Sequence, residues 1–217
     1  RTNLINHGLI TKNTNANIYI NNDGQCGGGG YFDNTSPGIV NVTSGILYLE
    51  GSGTHSGVFN NTGILVFGST QTLTTSGNVT GGGDFIINGT TIIDIPYSFA
   101  ATAIHLNGTL TGSGNKTVPS GSVINSAGTF SGTGELIIAD GATLNFTNPG
   151  STYFFNTIRN HGTANWNTGE RINPCNATGT FINETDGELV MGGANTRYFG
   201  RTNLINHGLI TKNTNAN

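Results

Sequence analysis

Short apolar clusters recur along the whole chain, each three to five residues long and bounded by Gly, Asn, Ser or Thr. Most of their residues are β-branched or aromatic, which favours extended strands. No window of ten residues repeats apolar positions at helical spacing. The pattern predicts an all-β chain of many short strands with essentially no helix. Clear clusters lie at 18–20, 46–49, 64–67, 85–87 and 136–138.

A weaker repeat of about twenty residues organises these clusters. Its core is an apolar residue followed by Asn and, a few residues later, by Gly and the next cluster. From Asn6 to Asn206 the frame has ten intervals, a mean of 20 residues. A unit of that size cannot bury an apolar face alone, but stacked copies can. We therefore predict a single-stranded parallel β-helix, a β-solenoid with open ends and about ten rungs per 200 residues. At a strand spacing of about 4.8 Å, 200 residues advance about 48 Å.

The Asn residues of this frame are predicted to occupy turns. Gly and Asn enter the left-handed backbone region more easily than other residues. Asn at one corner of successive rungs can also form a ladder in which each side-chain amide bonds to the next. The alternative is that Asn is merely common in turns. The predicted ladder positions are Asn6, Asn41, Asn60, Asn88, Asn107, Asn125, Asn160, Asn183 and Asn206.

The first and last 17 residues are identical, because RTNLINHGLITKNTNAN occupies both 1–17 and 201–217. This restart indicates that residues 1–200 are one full period of the solenoid and that residues 201–217 begin the next. Three stretches leave the rhythm and are predicted to be loop insertions. They lie near 21–38, 94–103 and 173–179.

The phrases LINHGLI, VFNNTGILVF, VINSAGTFSGTGELII and FINETDGELVM resemble the coil repeats of large bacterial surface proteins. These are the filamentous-haemagglutinin and autotransporter-type adhesins. The resemblance implies a right-handed β-helix that is extracellular, at the cell surface. The perfect restart departs from an autotransporter shaft, whose rungs vary, and favours a long, nearly monotonous fibre.

Charged residues make up only 9% of the chain, against about 25% in ordinary domains. Without Arg201 and Lys212 the 8 basic residues become 6 in one period, against 11 acidic ones. No basic stripe is available for nucleic acid. No apolar run approaches the length that spans a bilayer.

Candidate chemistry is sparse, and we predict no enzyme activity, no metal site and no cofactor. The densest acidic group is Glu184, Asp186 and Glu188, with no second carboxylate cluster beside it. No His/Cys pair has metal-ligand spacing. The Thr-x-Thr segments at 72–74 and 109–111 do not recur at a fixed rung position, so an ice-binding face is not predicted.

Both cysteines fall in predicted loops. Cys26 and Cys175 are 149 residues apart, or seven to eight rungs, which is too far for a direct disulfide. We predict a bridge across the period boundary or between chains; the alternative is two free thiols. Asn34 and Asn176 begin Asn-x-Ser/Thr sequons in the loops and are the best glycosylation candidates.

Two functions are compatible with these features. The first is an extracellular fibre of tandem or end-to-end stacked repeats, whose partners are copies of itself. Segments 1–17 and 201–217 would then provide axial continuation, with lateral fibre contacts as a further option. The alternative is an adhesin shaft that binds carbohydrate or a host surface through its loops. The aromatic candidates for such binding are Tyr31, Phe32, Tyr97, Trp166 and Tyr198.

Overall fold

A computed structural model describes residues 3–20, 30–169, 171–173, 178–193 and 198–213. These residues form strands numbered β1 to β30 in chain order, and no helix occurs among them. Strands pair in parallel with the third strand before and after them in the chain. Three strands therefore make one turn, and the turns stack into a parallel β-solenoid with three faces. The predicted fold class is confirmed.

The first face begins with β1 and contains every third strand after it. It is hydrogen-bonded as a two-stranded and an eight-stranded sheet, between which Tyr31 forms a parallel bridge with Ser52. Its strands are β1 (Leu4–Asn6), β4 (Phe32–Asn34), β7 (Gly53–His55), β10 (Gln71–Leu73), β13 (Thr90–Ile93), β16 (Thr109–Thr111), β19 (Thr129–Phe130), β22 (Ser151–Phe154), β25 (Arg171–Ile172) and β28 (Tyr198–Phe199).

The second face begins with β2 and consists of a four-stranded and a six-stranded sheet. At the break, the Val79 N–H donates to the Tyr97 hydroxyl over 3.0 Å, so a side chain replaces a strand carbonyl. Its strands are β2 (Leu9–Lys12), β5 (Ile39–Val42), β8 (Val58–Asn61), β11 (Asn78–Thr80), β14 (Tyr97–Ser98), β17 (Lys116–Val118), β20 (Leu136–Ile138), β23 (Thr157–Asn160), β26 (Thr180–Asn183) and β29 (Asn203–Asn206).

The third face is one unbroken ten-stranded sheet. Most of the apolar clusters that dominate the sequence pattern lie here. Its strands are β3 (Ile18–Ile20), β6 (Ile46–Leu49), β9 (Ile64–Phe67), β12 (Asp84–Ile87), β15 (Ala103–Leu106), β18 (Val123–Ser126), β21 (Thr143–Phe146), β24 (Thr163–Trp166), β27 (Glu188–Met191) and β30 (Leu209–Lys212).

The core runs along the axis, because alternate side chains of every strand point inward. Between residues 59 and 99 it is rich in aromatic rings; those of Phe67 and Phe85 meet edge-on with centroids 4.8 Å apart. Burying one such ring contributes about 2–3 kcal/mol. Between residues 104 and 144 the core is mainly aliphatic, with Ile104, Leu106, Leu110, Val118, Ile124, Leu136, Ile138 and Leu144 buried.

The corner between the third and first faces shows why glycine recurs. Gly89, Gly108 and Gly128 stack on one another in successive turns. A Cβ at Gly108 would lie 2.0 Å from the Gly89 carbonyl oxygen, and one at Gly128 would lie 2.1 Å from that of Gly108. The backbone turns can approach this closely only without side chains, so glycine is required here by packing.

Two predicted insertions are corrected by the structure. The stretch 94–103 contains β14, and Tyr97, Phe99 and Ala101 are buried in the core. It therefore forms the second face of its turn and does not leave the coil. Within 21–38, β4 belongs to the first face, while residues 21–29 lie outside the described part. Of the third stretch, residues 174–177 also lie outside it.

The two copies of the repeated segment occupy different faces. In the first copy, β1 and β2 lie on the first and second faces; in the second copy, β29 and β30 lie on the second and third faces. The equivalent strands are 28 positions apart, which is nine turns of three strands plus one strand. The predicted ten rungs per 200 residues are therefore not confirmed.

Candidate functional site

The most distinctive chemical feature of the coil is amide–amide stacking between turns. Each of the nine predicted ladder residues hydrogen-bonds to another Asn one turn away, over 2.8–2.9 Å. They form five separate columns, four within the sheets of the three faces and one at the corner between the third and first faces. The predicted turn position is therefore correct only for Asn88 and Asn107, because the other seven lie in strands with an extended backbone. The bonds join Asn6 to Asn34, Asn60 to Asn41, Asn107 to Asn88, Asn145 to Asn125, Asn165 to Asn145, Asn160 to Asn183, and Asn183 to Asn206.

The longest buried column connects the coil to the second copy of the repeat. Asn183 is fully buried; its Oδ1 accepts from Asn160 over 2.8 Å. Its Nδ2 donates to Asn206 Oδ1 over 2.8 Å and to the Leu209 carbonyl over 2.9 Å. Buried polar groups that satisfy one another in this way are costly to remove singly. The column therefore joins β23, β26 and β29.

Asn34 is a predicted glycosylation site, but in the folded chain it lies in the interior of the coil. Its side chain is fully buried, accepts from Asn6 over 2.9 Å and donates to the Val58 carbonyl over 3.1 Å. A sugar joined to Nδ2 would have to fit into the interior of the coil, where the Asn34 side chain has no access to solvent. Sequence reasoning also missed Asn165, although its spacing of 20 residues from Asn145 was a usable signal.

The Asn6–Asn34 column on the first face is followed by a chain of hydrogen bonds that joins the Asn34 backbone to the side chains of His55 and Gln71. The Asn34 N–H donates to His55 Nδ1 over 3.2 Å, which leaves the proton on Nε2. Nε2 therefore donates to Gln71 Oε1 over 2.7 Å, and Gln71 Nε2 donates to the Gly51 carbonyl over 2.5 Å. Burial lowers the pKa of His55 to about 4, while the bond to Gln71 and nearby Asp33 act weakly in the opposite direction. His55 is a neutral structural histidine at pH 7.

One lysine is also buried in the interior. Lys116 is 1% exposed, and its Nζ donates to the Gly112 carbonyl over 3.0 Å. Burial lowers its pKa to about 8, with Asp94 acting in the opposite direction. It lines neither of the two surface depressions described below, and we assign it to packing.

The acidic group noted in the sequence is engaged in ion pairs and hydrogen bonds on the outer surface. Glu184 and Glu135 flank the Arg159 guanidinium from the turns on either side, which raises the Arg159 pKa further. Asp186 lies 2.9 Å from His161 Nδ1. The third member of the group, Glu188, accepts from the Thr211 hydroxyl over 2.6 Å. These carboxylates are used to link successive turns.

Three predicted site residues, Cys26, Cys175 and Asn176, lie outside the residues that the structure describes. Within the described ranges, no group of three or more His, Cys, Asp or Glu side chains could hold a metal ion. No described segment forms a helix that could cross a membrane.

Most of the aromatic binding candidates belong to the core. Phe32, Tyr97 and Trp166 are buried, whereas Tyr198 is 52% exposed and Tyr31 is half-buried. Tyr31 lines a depression of about 370 Å³ on the first face, together with Asp33, Ser52, Gly53, Thr54, Thr70 and Thr72. A second depression, of about 330 Å³, lies at the next corner and includes Phe155, Asn156 and Thr157.

Comparisons with protein-family models, with curated proteins and with solved structures found no match.

Proposed function

We propose that the chain is a segment of an extracellular structural fibre, in which 200-residue β-solenoid units continue one another along a common axis. The observation that carries this proposal is the placement of the repeated segment. The second copy joins two sheets of the coil in register: Asn206 aligns with Asn183, and Ile210 aligns with Leu189. A segment with the sequence of the beginning thus extends the end as the next turn.

The outermost turns support continuation. Leu4 in the first copy is 38% exposed and Ile210 in the second is 36% exposed, although their strand neighbours Phe32 and Leu189 are buried in the core. Strand edges with exposed apolar side chains favour pairing with a further strand. Another turn added beyond either copy would cover them.

The one-face shift sets the symmetry of such a fibre. Twenty-eight strands per unit at about 4.8 Å per three strands give a rise of about 45 Å for each unit. Each unit is also rotated by one face relative to the last, so three units restore the orientation. We expect electron microscopy of a chain with several tandem units to show one continuous rod with this rise and rotation. Separate particles joined by links of variable angle would contradict the proposal.

A matched seam variant sharpens this experiment. Leu204 points inward opposite Phe181, so Leu204→Asp places a charge in the core where two units meet. The equivalent change at outward-facing Ile205 serves as control. We expect Leu204→Asp to separate the rods at the seam, and Ile205→Asp to leave them continuous. Continuous rods in both would show that the seam is not formed by this pairing.

The rotation of each unit by one face also determines where Cys175 lies relative to the Cys26 of the following unit. Residues 173–179, which include Cys175, connect the first face to the second. In a following unit shifted by one face, the segment that carries its Cys26 would connect the same two faces two turns further on, about 10 Å away along the axis. Both cysteines lie in stretches of sequence rich in Gly, Asn and Pro, a composition that favours turns and could bridge that gap. We expect a disulfide across the unit boundary, seen as a mobility change on reduction in tandem chains but absent from the single 217-residue chain.

The second candidate function, an adhesin shaft, has one supporting observation. Tyr153 and Phe155 project side by side from the first face, 39% and 47% exposed, beside the smaller depression. Paired exposed rings suit stacking against sugar rings. Binding of soluble polysaccharides that is lost in Phe155→Ala and kept in Tyr198→Ala would favour this function.

A further inference from the structure

We propose that the first face carries an ice-binding surface, formed by the outward side chains of β7, β10, β13, β16 and β19. This inference is independent of the proposed fibre, because the surface lies within one unit. In five consecutive turns, nine of ten outward positions hold Ser or Thr and none is charged. These residues, called here the hydroxyl array, are Ser52, Thr54, Thr70, Thr72, Thr90, Thr109, Thr111, Thr129 and Ser131, with Ile92 at the tenth position.

Strand register aligns the array into two straight columns. In one column, Thr90 aligns with Thr109 and Thr109 with Thr129. In the other, Thr54 aligns with Thr72. The residues between the columns, such as Gln71 and Leu110, point inward and are buried. The array is therefore a regular two-column pattern on one parallel sheet.

The sequence conceals this regularity. The Thr-x-Thr frames are separated by 18, 20, 19 and 20 residues, because corner lengths differ from turn to turn. The frame that matters is Thr70-x-Thr72; Thr74, which follows it, is a corner residue whose hydroxyl donates to the His55 carbonyl over 3.1 Å. The frames 72–74 and 109–111 are indeed not aligned with each other, because Thr72 aligns through Ile92 with Thr111. The regularity lies in the shifted frame that begins at Thr70.

The array hydroxyls are free to bind external water. Within the described part of the chain, none of them has a protein hydrogen-bond partner. Threonines elsewhere behave differently: Thr43 and Thr168 donate to backbone carbonyls over 3.1 and 2.6 Å. The orientation of the array side chains is nevertheless restricted, since β-branched residues are stiff at χ1.

The spacing of the array fits an ordered water lattice. Hydroxyls recur at about 4.7–4.9 Å between turns and at about 6.6 Å between the two columns. The repeat between turns is close to the shorter lattice repeat of hexagonal ice, and the spacing between columns is somewhat shorter than the longer repeat. The threonine methyl group excludes disordered water, and the hydroxyl hydrogen-bonds to a water of the lattice. Because the side chains are held rigidly on the sheet, the entropy cost of binding is reduced. A sugar site would instead need amide or carboxylate groups and a ring platform. The array positions themselves carry none of these, and such groups occur only beyond the ends of the array, at Tyr31 and Asp33 and at Tyr153 and Phe155.

The test uses the 217-residue chain in ice-recrystallisation and thermal-hysteresis assays. Thr90→Lys places a hydrated charge at the centre of the array, and we expect loss of most of the activity. Thr117→Lys makes the same change on the second face and should retain activity. Thr90→Ser keeps the hydroxyl and should retain a larger share than Thr90→Lys. Melting curves identify any variant that fails to fold, in which case Thr109→Lys replaces Thr90→Lys.

Two outcomes would overturn the proposal. One is that the unmodified chain affects ice no more than an inert protein of equal mass. The other is that Thr117→Lys loses as much activity as Thr90→Lys, since the effect would then not arise from the first face. A fluorescently labelled chain on a single ice crystal gives an independent readout. Adsorption to defined ice planes by the unmodified chain, but not by Thr90→Lys, is the expected result.

Discussion

Residues 3–13 and 203–213 have the same sequence but different places in the coil. In both copies Leu and Asn of the first strand point inward and the Ile between them points outward: Leu204 aligns with Phe181, as Leu4 aligns with Phe32. Yet the first copy starts on the first face and the second copy starts on the second. The sequence of a strand therefore decides which side chains enter the core but not which face the strand occupies.

The physical reason is that every face offers the same pairing partner. A parallel strand needs neighbours at about 4.8 Å and an inward row of apolar or amide groups beneath it. Asn34 supplies the amide for the first copy and Asn183 supplies it for the second. The face is then set by the number of strands in between, a long-range property that no local pattern contains.

The largest expected difference between the two regions is their response to acid. The polar chain near the first copy runs through the imidazole of His55, whereas the column beneath the second copy consists of amides. The native state holds His55 neutral with a pKa of about 4, while the unfolded chain binds a proton near pH 6.5. Stability is therefore intact above pH 6.5 and falls by roughly 3 kcal/mol as the pH drops to 4.

Hydrogen exchange at pH 7 and pH 4 would measure this loss region by region. After correction for intrinsic rates, we expect protection to fall in residues 32–61 and to persist in residues 180–206. His55→Gln removes the titrating group and should remove the difference between the two pH values. An equal loss in both regions of the unmodified protein would contradict this assignment.

The next largest effect is expected from substitutions that remove one asparagine from one amide column at a time. Asn183→Leu leaves the Asn206 amide oxygen and the Leu209 carbonyl without their donor, and we expect a loss of about 2 kcal/mol. Asn34→Leu should cost about the same through Asn6 and the Val58 carbonyl. Denaturant titration gives both values. Hydrogen exchange should then show that each variant loosens only its own copy of the repeat.

Asn60 is the control for these substitutions. It bonds to Asn41 over 2.9 Å but its side chain is exposed. Water can replace that bond, so Asn60→Leu should change stability by no more than about 0.5 kcal/mol. A large loss here would mean that the amide bond itself, and not its burial, determines the cost.

The sequence was informative wherever the physics is local. Clusters such as 64–67 are strands because β-branched and aromatic residues suit a pleated, buried surface. The apolar-Asn-Gly frame locates Asn183 and Asn206, because each is the last residue of a strand that a Gly-containing turn follows. The sequence predicts a loop at Asn34, which the structure places in β4, because the Gly-rich stretch before it obscures the pattern of this short strand.

The features that the sequence does not reveal depend on how successive turns align with one another. The stretch 94–103 contains Pro96 and lacks the Asn-Gly frame, yet Tyr97 and Phe99 fill the core that its neighbours leave open. The hydroxyl array was missed because its frames are aligned by strand pairing and not by equal spacing. Both are properties of register, which is defined only once the turns below and above are known.

The smallest expected effect concerns the single lysine in each copy, Lys12 in the first and Lys212 in the second. Lys12 is buried and donates to the Thr14 and Ser44 carbonyls over 2.5 and 2.6 Å, whereas Lys212 is exposed. We expect Lys12→Met to cost about 1 kcal/mol, since two carbonyls lose a donor, and Lys212→Met to cost less than about 0.5 kcal/mol. In a chain of two tandem units, a further turn would cover Lys212, and the cost of Lys212→Met should rise to that of Lys12→Met. If it stays small while the tandem chain folds, the second copy is not a seam and the continuous coil is wrong.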